Sequence, residues 1–153
     1  MHRAAAVSLA AAVLGLAACG SDPPGLPAAC LQDEASVARA LRAAPGDVRL
    51  ADGTLLSTCV TRARSDGQLA SLGLLLTAVA EDLAMRARDE RSPELARRVG
   101  FLAGAVQRGS DRTTGIQAEL ARRVARAAVK LDGSSAAVQR ALIHGTRAGL
   151  ARG

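Results

Sequence analysis

The stretch LASLGLLLTAVA, residues 69–80, is apolar almost all the way round a helical wheel, with Ser71, Gly73 and Thr77 as its breaks. A helix needs roughly 20 apolar residues to cross a bilayer, and these twelve fall short. A helix that is apolar on every side and too short to span belongs at the centre of a bundle. The chain is therefore expected to be all-α, with residues 69–80 in its middle.

Working outward, Asp66 is placed to cap this helix, which should continue to about residue 88. Ser92 as an N-cap, Pro93 at the first helical position and Glu94 behind it start the next helix. That helix is expected to reach Arg108 and stop at Gly109 in a left-handed turn. A further helix over residues 114–131 puts Ile116, Leu120, Val124, Ala127, Ala128 and Leu131 on one stripe, and Gly133 ends it. The last runs from residue 134 to about 150 and turns Val138, Ala141, Leu142 and Gly145 inward. Upstream, residues 33–44 form a first helix with Asp33 and Glu34 at its positive end. Pro45 and Gly46 stop it. Residues 47–53 read as a turn-rich connection with a short extended piece at Val48, Arg49 and Leu50, before a helix or helical turn over residues 55–64. The expected architecture is a small helical bundle of four to five helices in one domain, residues 30–153.

Composition agrees. Alanine, leucine and valine supply most apolar residues, and Phe101 is the one aromatic side chain. Ala, Leu and Arg head the helix-propensity ranking. Nineteen Arg against the single Lys130 reflects a GC-rich coding bias more than a function.

The start of the chain has another character. Met1, His2 and Arg3 precede an apolar run from Ala4 to Leu14, which leads to Leu16, Ala17, Ala18 and Cys19. A charged start, a short apolar middle and a small-residue end are the layout of a removable secretory signal. The four residues Leu16-Ala17-Ala18-Cys19 resemble the lipobox of bacterial lipoprotein precursors. With the proline- and glycine-rich stretch behind them, the chain looks like uncharacterised exported lipoproteins of high-GC Gram-positive bacteria. The resemblance implies a signal peptide at residues 1–18, cleavage before Cys19 and a diacylglyceryl group on its sulfur, with a fatty acid such as palmitate often added on its amine. It also implies a lipidated tether at residues 19–29 and a place on the outer face of the cytoplasmic membrane. It carries no activity with it.

If Cys19 is lipidated, Cys30 and Cys59 remain as a pair outside the reducing cytosol, where disulfides persist. Closing the loop between them restricts the unfolded chain by about 3.6 kcal/mol. Two buried free thiols or a metal pair are the alternatives. A metal site would call for further Cys or His ligands, and His144 is the one histidine after the signal.

Charge is uneven. Residues 19–94 carry a net −3 and residues 95–153 a net +8. Arg122, Arg123, Arg126 and Lys130 share one helical face, with Glu119 in reach of Arg122 and Arg123. Such a row is in its plainest form a solvated face. Read functionally, it is a surface for anionic lipid headgroups, an acidic envelope polymer or an acidic partner protein.

Nucleic acid is an unfavoured partner despite a pI near 10.8, because export removes the chain from it and a lone aromatic, Phe101, offers no set of rings to stack bases. No GxSxG elbow, phosphate-binding glycine loop or HExxH is present. No catalytic residue, metal ligand or cofactor is assigned. His144 is expected on the surface. A Ser-His-Asp set could be drawn from Ser134 or Ser135, Asp132 and His144, but nearness in sequence is not geometry. The Gly100-x-x-x-Gly104 spacing suits close helix packing within the bundle, or a homodimer or partner-helix surface. The resulting expectation is a non-enzymatic, lipid-anchored interaction or scaffold module that works through a basic C-terminal surface. The alternative is a carrier of a small apolar or amphipathic ligand, with residues 69–80 as one wall.

Overall fold

The structure, a computed structural model, describes residues 25–111 and 115–153. The signal, Cys19 and the first part of the tether lie outside the described residues, as does Arg112. The helices are α1 (Glu34–Ala40), α2 (Leu56–Arg62), α3 (Asp66–Asp89), α4 (Pro93–Ser110), α5 (Ile116–Val129) and α6 (Ala136–Arg152). A 3-10 turn over Ala28–Leu31 precedes α1 and another, Leu41–Ala43, extends it. No strand occurs among the described residues. The described residues form six α-helices, because the short stretch after Leu55 closes into a two-turn helix of its own.

Local chemistry sets the helix ends. Ser92 accepts from the Leu95 N–H, with Pro93 behind it, as the sequence predicts. At α3 the cap is Ser65, not Asp66. Its hydroxyl accepts from the Gln68 N–H while the Gln68 side chain returns a bond to the Ser65 N–H, a reciprocal capping box. Asp66 takes the next position, in the first turn. α3 ends in a Schellman arrangement, with Ser92 N–H bonded to Ala87 O at 3.0 Å and Arg91 N–H to Arg88 O at 3.3 Å. Arg91 is thereby held at φ 50°, in the left-handed region.

α4, not α3, is the centre of the bundle. It packs against α2, α3, α5 and above all α6. The reason is its glycine row. A Cβ built on Gly100 would lie 2.1 Å from the Leu142 carbonyl oxygen, and one on Gly104 2.2 Å from that of Thr146. In return, Gly145 and Gly149 of α6 approach the Arg97 and Phe101 carbonyls just as closely. Two parallel helices, each with glycines four apart, thus meet backbone to backbone, and Phe101 is sealed in the core. The Gly100-x-x-x-Gly104 spacing serves packing inside the chain. Gly109 is helical and buried, not a stop. It admits α2, whose Ser57 carbonyl would lie 2.6 Å from an added Cβ.

α3 gives only one face to this core, through Leu69, Leu72, Leu76, Val79, Ala80 and Leu83. By length and composition it is the one described helix able to cross a membrane, with mean hydropathy 1.3 over its most apolar window. Its outer face stays uncovered. The packed domain also begins earlier than expected: Leu26 lies against the core and Ala29 is buried. Cys30 and Cys59 are joined in a disulfide, Cα to Cα 5.5 Å, which ties the first 3-10 turn to α2.

Candidate interaction surface

The amphipathic period of α5 buries Leu120, Ala121, Val124 and Ala127 and turns the intervening arginines to water. Arg122 and Arg126 leave 69% and 68% of their side chains exposed. One carboxylate serves three of these cations. Glu119 pairs with Arg122 at 2.9 Å, Arg123 at 3.1 Å and Arg126 at 3.5 Å. Hydrogen bonds from Arg123 and then Arg122 hold the Glu119 carboxyl below the usual carboxylate range. Lys130 reaches across to Glu81 of α3, 3.5 Å away. Four cations thus face two acids, and the row keeps an excess of positive charge. Sequence spacing finds the Glu119 pairs with Arg122 and Arg123 but not the one with Arg126, whereas Lys130–Glu81 depends on α3 and α5 lying side by side.

The same contact brings a second feature beside the row. Along the outer face of α3, Ala70, Ser71 and Leu74 are exposed and Ala78 is half-buried. Leu74 is 74% exposed, the most open of the large apolar side chains described. It stands on a ridge between two troughs, both open to solvent. One is lined by Asp33, Glu34 and Ala35 of α1 with Leu75 and Ala78. The other lies between α3 and α5, where Ala70 and Gly73 face Ile116 and Arg123. Ile116 is itself 51% exposed. The sequence reading missed this ridge because it assigned all sides of residues 69–80 to the core.

The remaining candidates are scattered. Ser135 caps α6 by accepting from the Val138 N–H. His144, exposed, stands nine residues on, about 13 Å along the axis. A concavity at the far end of α3 combines Arg88 and Arg91 with Ser134 and Ser135, and Asp132 shares it. Asp111 accepts from the Gln107 side chain. Among the described residues no three His, Cys, Asp or Glu side chains gather as metal ligands.

Comparison with protein-family models, curated proteins and solved structures finds no match to this chain.

Proposed function

We propose that the protein is a non-enzymatic, lipid-anchored interaction module of a bacterial envelope, held by Cys19 to the outer face of the cytoplasmic membrane. Its working surface is the α5 row of Arg122, Arg123, Arg126 and Lys130, which meets an anionic component of the envelope. The observation that carries this reading is the shared carboxylate. Three exposed guanidiniums divide one Glu119 among them, so an anion arriving at the row finds positive charge not already neutralised. Each such cation near an anionic surface is worth about 1 kcal/mol, fading within a Debye length of about 8 Å.

A chain that starts at residue 19 with Cys19→Ala, lacking both the signal and the acyl group, isolates this contribution. Flotation with phosphatidylglycerol vesicles should recover it at low salt and lose it at high salt, with weak recovery on phosphatidylcholine. Reversing Arg122 and Arg126 to Glu should abolish the salt-sensitive part. Recovery indifferent to lipid charge, salt and these two residues contradicts a basic working surface.

A further inference from the structure

We infer that the Leu74 ridge of α3 is the side of the domain that rests in the outer leaflet of the membrane. The inference deepens the anchored reading and rests on acylation at Cys19.

The occupant of this face is argued from where the tether enters. Six peptide links separate Cys19 from Gly25. Fully extended, they reach about 22 Å. A domain of about 130 residues has a radius of gyration of about 14 Å, hence a diameter of about 36 Å. The tether is shorter than the domain is wide, so the domain cannot present its far side to the bilayer. The near side is set by the first packed residues. Leu26 lies on the core, and the following 3-10 turn packs against α3 with Leu31 exposed. Asp33, two residues further on, already lines the trough beside Leu74. α6, by contrast, packs mainly on α4, and its exposed Ile143 and Leu150 belong to that helix pair.

The chemistry of the ridge fits the headgroup boundary. Ala70, Leu74 and Ile116 supply apolar insertion without a long or bulky wedge. Arg123 and Lys130 stand along one margin, where their stems can lie along the acyl boundary and their charges in the headgroups. Asp33 and Glu34 stand along the other margin. This mixed rim suits a bilayer with zwitterionic as well as anionic lipid. Anchoring by two or three acyl chains already confines the domain to the surface, so a shallow apolar contact suffices to orient it.

The test uses the mature chain purified from membranes of its own host and reconstituted in phosphatidylethanolamine and phosphatidylglycerol vesicles containing a phospholipid with a photoreactive acyl chain. Trypsin cuts after Arg64 and Arg86 and nowhere between them, so one peptide carries the whole ridge. After irradiation that peptide should hold most of the label, and Leu74→Ser should lower its share about tenfold, the worth of moving one leucine into apolar surroundings. The Leu74 side chain is outside the core, so this variant keeps its fold. Label concentrated on the α6 peptides, or unaffected by Leu74→Ser, overturns the orientation while leaving the anchor intact. The intact mass of the same sample separates the two ideas: an acylated chain with an unlabelled ridge refutes only the orientation, and an unacylated chain refutes both.

Discussion

Gly104 of α4 and Thr146 of α6 meet so closely that a single methyl on the glycine would fall 2.2 Å from the Thr146 carbonyl oxygen. The obstruction is backbone, which cannot swing aside like a side chain. Gly104→Ala should therefore cost at least the 1–3 kcal/mol typical of overpacking, about 2–4 kcal/mol here, read as a lower urea midpoint. Gly73→Ala is the control. Its added methyl meets only a Leu120 methyl at 3.7 Å. It should be neutral or slightly stabilising, because glycine inside a helix is disfavoured by about 0.5–1 kcal/mol against alanine.

Arg91 occupies the left-handed residue of the α3 Schellman motif, at φ 50°, where glycine is the usual choice. Arg91→Gly should raise stability by about 1 kcal/mol by removing the Cβ conflict. Thermal unfolding checks it, and a fall in melting temperature would contradict the assigned turn geometry.

The Cys30–Cys59 bond ties the entry of the chain to α2, with both cysteines buried. Replacing both by Ser should lower stability by about 2–5 kcal/mol, in line with the loop-entropy figure plus two buried hydroxyls. Limited proteolysis should then cut first near the 3-10 turn ahead of α1, while α4 and α6 stay protected.

Three carboxyls are held below their usual range: Asp33 by the Ser36 N–H, Asp52 by the Thr54 N–H, and Glu119 by Arg123 and Arg122. Their pKa values are lower in the folded than in the unfolded chain. Their contribution is thus complete above the ordinary carboxylate range and is lost as pH falls through the folded values. Urea midpoints should be flat from about pH 7 to pH 5 and decline below about pH 4. All three groups are exposed, so the decline should be shallow, and salt should weaken the Glu119 part most.

Glu119→Gln should have the opposite effect on binding. It frees three guanidiniums and adds one unit of positive charge. The unacylated chain should then bind phosphatidylglycerol vesicles about fivefold more tightly at low salt, with little change in stability.

Much of the fold was legible in short-range signals. Ser92 and Pro93 marked a helix start that the structure keeps, and the glycines at 100 and 104 announced close packing. What local pattern could not supply was the ranking of helices by depth. Residues 69–80 are the most apolar stretch among the described residues, yet α4 takes the centre because its glycines let α6 approach at backbone distance. That leaves α3 on the outside with Leu74 in water. Gly109 was misread for a related reason, since a glycine that ends a helix and one that admits a neighbour look alike in sequence. The α5 arginines were legible from period alone, whereas Glu81 beside Lys130 required knowing that α3 and α5 run in parallel.

We propose that this domain works at a membrane because Cys19 is lipidated. Intact mass spectrometry of the protein from its host's membrane fraction tests it most directly. The expected mass is that of a chain that begins at Cys19, carries a diacylglyceryl group, and gains two hydrogens on reduction of Cys30–Cys59. A chain that retains residues 1–18, or begins at Cys19 without an acyl group, would contradict it.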